Sequence, residues 1–247
     1  VKKACYLHFT MEDNPSLAPE IRARYEGLYS GPFYERYVLG RWVAAEGLVY
    51  PMFRAEDVCK APEQAEEYVI SCDYGTVNPA SFGLWGRVGN CWYRMREYYY
   101  SSREKGEQKT DEEYYEQLER LAGTLPVSLV VCDPSAASFL ACIRKHGRFS
   151  VLPANNEVLD GIRRVADALA QGRIRICKGC ADTIREFSLY RWEEGGRDQP
   201  RKENDHAMDD IRYFVSTVLD TPEEGPAALA VERAGNGQNN EEELWGY

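Results

Sequence analysis

Two aspartates each stand at the end of a short apolar run. Asp73 ends the run 68–72, and Asp133 ends the run 127–132. Short apolar runs bounded by turn residues indicate buried strands, and ligands bind beyond the carboxyl ends of strands in open α/β sheets. If the two strands are neighbours, their carboxylates meet at one place. Carboxylates a few ångströms apart repel each other, so such a pair persists most readily when a divalent cation neutralises it.

A third group of candidate ligands lies in the segment 204–213. Asn204 or Asp205 would cap a helix there, and apolar residues follow at helical spacing. Asp209 and Asp210 are adjacent in its first turns, and periodicity does not decide which of them faces the sheet. Oxygen ligands without cysteine or histidine favour Mg²⁺ or Mn²⁺ over zinc. The alternative for each aspartate is structural, since Asp commonly caps helices and forms turns.

The elements that would carry these residues alternate between strands and helices. Gly89-Asn90 is a hairpin-turn signal, and Thr110-x-x-Glu113 is a capping box that opens a helix. The predicted strands are 68–72, 80–88, 91–100, 127–132, 150–152 and 173–176. The predicted helices are 19–28, 110–123, 136–145, 158–169 and 206–219. Three meandering strands, then β-α units and a last helix, predict an α/β fold with a mixed β-sheet flanked by helices.

The formal net charge of −10 argues weakly against a nucleic-acid binder, whose footprint is usually basic. The segment 220–247 holds seven acidic residues and one arginine, or −6, so residues 1–219 carry only about −4. No apolar run approaches the roughly 18 residues of a membrane helix, which argues against a membrane partner. The chain begins Val1-Lys2-Lys3, which is neither an initiator methionine nor a signal peptide and indicates a cut inside a longer protein.

Eight cysteines raise the question of disulfides or zinc. Cys72, Cys132 and Cys177 lie in or beside apolar runs, where a free thiol behaves as a small hydrophobic residue. Cys177 and Cys180 have C-x-x-C spacing, but a structural zinc needs further ligands. The sequence has no second C-x-x-C and only three histidines. We therefore predict reduced thiols, two of them at a strand end.

Several segments resemble motifs of phage terminase large subunits. Gly40-Arg41-Trp42-Val43, followed by Gly47-Leu48-Val49-Tyr50, is similar to that family's junction between motor and nuclease. The three nuclease motifs of that family are resembled, in the same order, by Asp73-Tyr74-Gly75, Cys132-Asp133-Pro134-Ser135 and the segment 205–213 of this chain. His8-Phe9-Thr10, with Asp13-Asn14-Pro15 after it, is similar to the end of its ATPase domain. The resemblance extends to about residue 219 and implies a ribonuclease H-like nuclease.

This resemblance implies a Mg²⁺- or Mn²⁺-dependent endonuclease that cuts double-stranded viral DNA during genome packaging by two-metal phosphodiester hydrolysis. Carried over by position, the catalytic residues and metal ligands are Asp73, Asp133 and Asp209. The family usually has a small residue in place of Asp210, which leaves Asp210 either a fourth ligand or a neighbour. His206 would orient a ligand or a phosphate, and the alternative is a histidine that only stands at a helix start. The remaining phosphate contacts would come from basic residues before the third motif: Arg197, Arg201 and Lys202.

The resemblance also divides the chain into three parts. Residues 1–50 would be a connector from an absent ATPase motor domain, 51–219 the nuclease domain, and 220–247 an acidic, disordered tail. An N-terminal extension of the main domain is the alternative for 1–50. No G-x-x-x-x-G-K-[ST] motif occurs, so we expect no ATP site. The implied partners are double-stranded DNA, the portal protein, the small terminase subunit and the ATPase domain, in the cytoplasm of the infected bacterium.

Three other interpretations stay open at this point. A Holliday-junction resolvase or transposase core would keep the ribonuclease H-like fold and change the substrate. An actin- or hexokinase-type ATPase would use Asp73-Tyr74-Gly75-Thr76 as its first phosphate loop, but Asp133-Pro134-Ser135 lacks the glycine of a second one. A docking domain without activity would keep its carboxylates for structure alone. Metal binding separates the docking domain from the nucleases.

Overall fold

The computed structural model describes residues 9–29, 31–41, 47–54, 57–194 and 198–219. Its strands are β1 (Val58–Cys59), β2 (Glu67–Asp73), β3 (Ala80–Val88), β4 (Cys91–Tyr100), β5 (Val127–Cys132), β6 (Ser150–Pro153) and β7 (Ile174–Cys177). Its α-helices are α1 (Pro19–Leu28), α2 (Gly31–Tyr37), α3 (Ser102–Lys105), α4 (Asp111–Ala122), α5 (Ala137–His146), α6 (Val158–Ala170), α7 (Ala181–Leu189) and α8 (His206–Phe214). A π-helical turn, Val215–Leu219, continues α8.

The strands form one mixed sheet in the order β1-β7-β4-β3-β2-β5-β6. β2, β3 and β4 make the predicted antiparallel meander, and the other pairings are parallel. Gly89 in the β3–β4 turn has a φ of 58°, a left-handed conformation that glycine adopts without steric cost. Thr110 and Glu113 make both bonds of the predicted capping box at the start of α4. The predicted α/β class and mixed sheet flanked by helices are confirmed.

Helices cover both faces of the sheet. On one face α6, α7 and α8 enclose a core in which the rings of Trp85 and Phe214 stack with centroids 4.0 Å apart. On the other face α4 and α5 enclose a second core, where Phe82 stacks on Phe139 at 5.6 Å. Because successive residues of a strand point to opposite faces, β3 supplies both cores. These two cores fix α8 and the ends of β2 and β5 relative to one another.

Three α-helices, α2, α3 and α7, and the strand β1 were not predicted, and one helix ends earlier than expected. The periodicity of 181–189 does not reveal α7, because its buried residues are Thr183, Glu186 and Phe187, and only one of these is apolar. β1 is too short to produce a pattern. The last α-helix ends at Phe214, where the π-helical turn begins, and does not run to 219.

The described part of the N-terminal region packs on the domain. Phe33, Val49 and Tyr50 are buried in the core on the α6–α8 side of the sheet. The backbone N–H of Val49 donates to the carbonyl of Tyr190 at 3.0 Å. The division of the chain at residue 50 stays a prediction. Residues 1–8 and 42–46, and the predicted tail 220–247, lie outside the described residues.

The cysteines that the structure describes are free thiols. Cys59 and Cys177 are partners on the adjacent strands β1 and β7, with Sγ atoms 3.6 Å apart. Cys180 donates its thiol proton to the carbonyl of Arg94 at 3.2 Å. Within the same described ranges, no helix is long and apolar enough to cross a membrane.

Candidate active site

Asp73 and Asp133 lie side by side at the carboxyl ends of two neighbouring strands. β2 and β5 are parallel neighbours, and Cys72 is the register partner of Cys132. The backbone N–H of Asp133 donates to the carbonyl of Cys72 at 3.1 Å. The expectation that the two strands are neighbours is therefore confirmed. Both aspartates lie at the same end of the sheet, where β2 and β5 finish.

Helix α8 brings Asp209 and His206 to this edge, and its start is held by a residue that the sequence did not reveal. Buried Glu186, on α7, accepts the backbone N–H of Ala207 at 2.6 Å through Oε2 and the hydroxyl of Tyr99 at 2.7 Å through Oε1. Asp205 occupies the N-cap position, but its side chain makes no capping hydrogen bond. Asp205 is thus the N-cap residue, as predicted, but the side-chain acceptor at the helix start is Glu186, whose carboxylate also suits the positive end of the helix dipole.

An open cleft of about 860 Å³ lies over these residues. Its acidic lining residues are Asp73, Glu104, Asp133, Glu203, Asp205 and Asp209. Its basic lining residues are Arg103, Arg185, Lys202, His206 and Arg212. Carboxylates thus form the floor where the strands end, and cations are available around them for an anionic ligand.

Asp73 is the most buried of the three predicted ligands, with 8% of its surface exposed. Burial raises the pKa of Asp73 to about 7, and the negative charges of Asp209 and Asp133 act in the same direction. The hydrogen bond between His206 Nδ1 and Asp73 Oδ2, at 2.9 Å, opposes that rise. Burial lowers the pKa of His206, but the hydrogen bond and charge of Asp73, together with the charges of Asp205 and Glu186, outweigh burial and the pKa rises. An Asp73 carboxylate surrounded by like charges is a group that a divalent cation would stabilise.

Asp209 and Asp133 are each oriented by a neighbour. Arg212 Nη2 lies 2.9 Å from Asp209 Oδ1, and Arg212 Nη1 donates to the carbonyl of Asn156 at 2.7 Å. Asp133 Oδ1 accepts the backbone N–H of Ser135 at 2.8 Å in an Asx turn. Both side chains therefore have fixed directions, and each keeps a second carboxylate oxygen that can bind a metal ion.

The donor set suits a hard divalent cation, because Asp73, Asp133 and Asp209 offer only carboxylate oxygens. Across the described residues these three do not form a set whose ligand atoms all lie within 4.8 Å of one another. All three line the same cleft.

Asp210 differs from these three aspartates. It faces the sheet, away from the cleft, and is fully buried. Its Oδ2 accepts Arg94 Nη2 at 2.6 Å and the hydroxyl of Ser81 at 2.9 Å, and its Oδ1 accepts the hydroxyl of Ser71. Both carboxylate oxygens are therefore occupied inside the core. Asp210 does not line the cleft, so the structure favours the neighbour interpretation over that of a fourth ligand.

The predicted phosphate contacts are only partly brought together. Lys202 and His206 line the cleft. Arg201 does not line it, since its guanidinium is bound to Glu194 at 2.6 Å. Arg197 lies outside the described residues. Of the described basic residues that precede the third motif, Lys202 lines the cleft and Arg201 does not.

Two arginines in the cleft were missed by sequence reasoning. Arg185, on α7, lies over the ring of Tyr99 at 5.4 Å and donates to the side-chain oxygen of Asn204 at 3.1 Å. Arg103 lies on α3 and lines the same cleft. Neither residue belongs to a motif, and α7 was not predicted. The only signal was a run of charged residues next to apolar ones, which is common on any surface helix.

No protein-family model matches the sequence. The terminase large subunit of Escherichia phage T5 is 22% identical over 228 residues, covering 86% of this chain and 51% of that protein. The large terminase of a thermophilic bacteriophage, solved in complex with ADP, is 47% identical with a TM-score of 0.81. That match covers 87% of this chain and 56% of the other chain. This chain therefore spans about half the length of these two proteins.

Isolated nuclease domains share the fold at lower identity. The P22 large terminase nuclease domain has a TM-score of 0.57 at 20% identity, over 69% of this chain and 91% of that domain. The large terminase nuclease of thermophilic phage G20c, solved with bound cobalt, has a TM-score of 0.53 at 13% identity, over 71% and 98%. At these identities the likeness concerns the fold alone. The mixed sheet flanked by helices is thus the fold of these nuclease domains, as the resemblance implied.

Proposed function

Because this chain is a homologue of phage large terminases, we propose that the described domain is the endonuclease of a DNA-packaging motor. Its reaction is the hydrolysis of phosphodiester bonds in double-stranded viral DNA. The main observation behind this proposal is that Asp73, Asp133 and Asp209 line one cleft. They come from β2, from the end of β5 and from α8, respectively. Independent elements supply the three carboxylates, and a helix cap or a turn does not require them to converge.

The cofactor in this proposal is a pair of Mg²⁺ or Mn²⁺ ions, held by Asp73, Asp133 and Asp209. When bound, such ions activate a water molecule and neutralise the charge that develops on phosphate and leaving oxygen. The side chains around the centre serve orientation. His206 fixes Asp73, Arg212 fixes Asp209, and the Ser135 N–H fixes Asp133. Each ligand would thus be held before DNA arrives, which lowers the cost of assembling the site.

Lys202, Arg185 and Arg103 would bind the DNA backbone in this proposal. Their positive charges border a floor of carboxylates that would otherwise repel phosphate. Phosphate contacts from basic side chains supply most of the sequence-independent affinity for DNA. The cations thus explain how a domain of net negative charge would hold a polyanion.

The other roles of the whole protein belong to the same proposal. We expect contacts with the portal protein, the small terminase subunit and an ATPase domain, in the cytoplasm of the infected bacterium. ATP hydrolysis would reside outside this chain, since no Walker A motif occurs in its sequence.

The direct test is the nicking of supercoiled plasmid by the purified chain with Mn²⁺ or Mg²⁺. We expect nicked and then linear product with either ion, and none with a chelator. A linear duplex and a four-way junction of equal length should be cut at similar rates. Strong preference for the junction would instead indicate a resolvase. No cleavage under any divalent ion would contradict the nuclease proposal and favour the docking domain or the ATPase.

Metal binding can be measured apart from cleavage. We expect Mn²⁺ at a hundredfold excess over its dissociation constant to raise the thermal midpoint by about 5–10 °C, because it binds only the folded state. Asp73→Ala should abolish most of this shift. Glu116→Ala, which removes an exposed carboxylate on α4, is the control and should keep the full shift. Equal shifts in all three proteins would mean that the ions bind elsewhere.

The cationic border of the cleft leads to a prediction on DNA affinity. Lys202→Ala and Arg185→Ala should each weaken binding to any sequence, and each should reduce the salt dependence by about one phosphate contact. Fluorescence anisotropy with a labelled duplex at several salt concentrations measures both quantities. Arg120→Ala, an exposed arginine on α4 outside the cleft, should change neither. Unchanged salt slopes in both cleft variants would move the DNA path away from this cleft.

A further inference from the structure

A second group of metal-ligand side chains lies on helices α4 and α5, apart from the cleft. It consists of Glu112, Cys142 and His146. The carboxylate, thiol and imidazole ligand atoms all lie within 4.8 Å of one another. Among the described residues no other trio of histidine, cysteine, aspartate and glutamate side chains comes this close. None of the three belongs to a motif of the proposed nuclease.

Helix geometry explains how the trio forms. Cys142 and His146 are four residues apart on α5, so they lie on one face, one above the other. Glu112, in the first turn of α4, faces them, and its Oε2 lies 2.6 Å from His146 Nε2. The imidazole ring is stacked on Tyr115 at 3.8 Å with an interplanar angle of 9°. The aromatic contact holds the ring with Nε2 directed at the carboxylate.

The chemistry of this trio differs from that of the nuclease centre. Sulfur, nitrogen and oxygen donors together are the set that zinc prefers, whereas Mg²⁺ and Mn²⁺ prefer oxygen alone. Donors around a tetrahedral zinc are roughly 3–4 Å apart, given metal–ligand bonds of about 2.0–2.3 Å. Small side-chain rotations would therefore bring all three to one ion. Water would fill the fourth position, because Glu112 and His146 reach the surface.

We propose that Glu112, Cys142 and His146 bind one zinc ion that links α4 to α5. On binding, the Cys142 thiol loses its proton to solvent, and a sulfur–zinc bond forms without any change of oxidation state. Zinc also displaces the direct contact between Glu112 and His146 and the weaker one from Lys145, whose Nζ lies 3.4 Å from Glu112. Burial raises the pKa of the Cys142 thiol, so the metal must offset that cost.

The ion would act on helices that support one wall of the cleft. Tyr74, the residue after Asp73, stacks on Phe139 of α5 at 4.7 Å. Its hydroxyl donates to Asp111, the neighbour of Glu112 on α4. Fixing α4 against α5 would therefore steady the segment that carries Asp73. The role is structural, and it does not depend on the proposed nuclease activity.

Cobalt(II) is the probe, because a cobalt–thiolate bond gives a charge-transfer absorption that oxygen ligands do not give. The full chain is reduced and titrated with Co²⁺ in the presence of excess Mg²⁺, which occupies all-oxygen sites. We expect one equivalent to produce the thiolate band, and Zn²⁺ to remove it by displacement. Cys142→Ser should lose the band, and Cys91→Ser, a half-buried thiol on β4, should keep it.

Two further variants keep the proposal testable if Cys142→Ser folds poorly. Glu112→Gln and His146→Gln alter exposed side chains, so both should fold, and both should weaken Co²⁺ binding at least tenfold. Glu116→Gln, one turn further along α4, is the matched control and should bind normally. A thiolate band that survives Cys142→Ser, or no band in the wild-type chain, would overturn the zinc site. The trio would then be an ordinary ion pair between two helices beside a buried thiol.

Discussion

Asp133→Asn is expected to lower plasmid nicking by at least about a thousandfold while the fold and DNA affinity are kept. In the proposed centre Asp133 is a ligand, and its negative charge holds the cations that stabilise the transition state. Losing that stabilisation costs several kcal/mol, and each 1.36 kcal/mol changes the rate about tenfold. DNA affinity should hold or rise, because it rests on Lys202 and the cleft arginines and the floor has lost a negative charge.

The structure makes asparagine the informative substitution at this position. Asp133 Oδ1 accepts the Ser135 N–H in an Asx turn, and asparagine keeps that acceptor. A purely structural Asp133 would therefore tolerate the change with almost full activity. Asp133→Ala would remove charge and turn together and could not separate the two roles.

Initial rates of nicking under saturating Mn²⁺ should be measured beside the thermal midpoint of each protein. Asp160→Asn, on α6 outside the lining of the cleft, is the matched control and should nick at the wild-type rate. An Asp133→Asn protein that nicks within about threefold of wild type would remove the proposed catalytic centre. A large drop in thermal midpoint would show that the substitution acts through the fold.

Asp73 and Asp133 could be located from the sequence because local pattern and topology agree there. Each ends an apolar run, and apolar runs in an α/β order tend to be parallel neighbours whose carboxyl ends share one edge. Asp209 was different, since the helical pattern allowed either Asp209 or Asp210 to face the sheet. Only the resemblance to terminases separated them. The structure supplies the physical reason, because Asp210 forms a buried ion pair with Arg94 in the sheet.

The residues that hold the site were not predictable, because their partners are distant in sequence. Glu186 accepts a hydrogen bond at the start of α8, some twenty residues later in the chain. No sequence pattern around Glu186 indicates this role. Arg94 lies in the strand β4, where a charged side chain normally indicates an exposed position. Buried polar groups break the hydrophobic periodicity on which prediction depends. Ligands at strand ends could therefore be found, whereas the groups that orient or neutralise them could not.

The buried pair Arg94–Asp210 is where the second large effect is expected. Both side chains have no exposed surface, and they lie 2.6 Å apart. Ser71 and Ser81 donate to the carboxylate, and Trp85 donates to the Ser71 hydroxyl at 2.8 Å. The chain leaves space for the guanidinium. A Cβ at Gly83 would lie 1.8 Å from Arg94 Nη1, so this position excludes any larger residue.

Arg94→Met should lower the free energy of unfolding by about 3–5 kcal/mol, because it leaves the Asp210 charge buried without a counter-ion. The double variant Arg94→Met/Asp210→Leu should recover most of that loss, since a buried ion pair can be replaced by apolar groups of similar size. Urea denaturation of the wild type, both single variants and the double variant measures the coupling. Arg120→Met, in an exposed ion pair on α4, should be nearly neutral.

The same double variant also tests the assignment of Asp210 as a structural residue. If Asp210 only neutralises Arg94, the folded double variant keeps the Mn²⁺-induced rise in thermal midpoint, because Asp73, Asp133 and Asp209 are intact. A metal ligand at Asp210 would instead make the rise disappear along with the carboxylate. Additive losses in the double variant would show that the pair is not coupled. A lost Mn²⁺ shift in a stably folded double variant would return Asp210 to the metal centre.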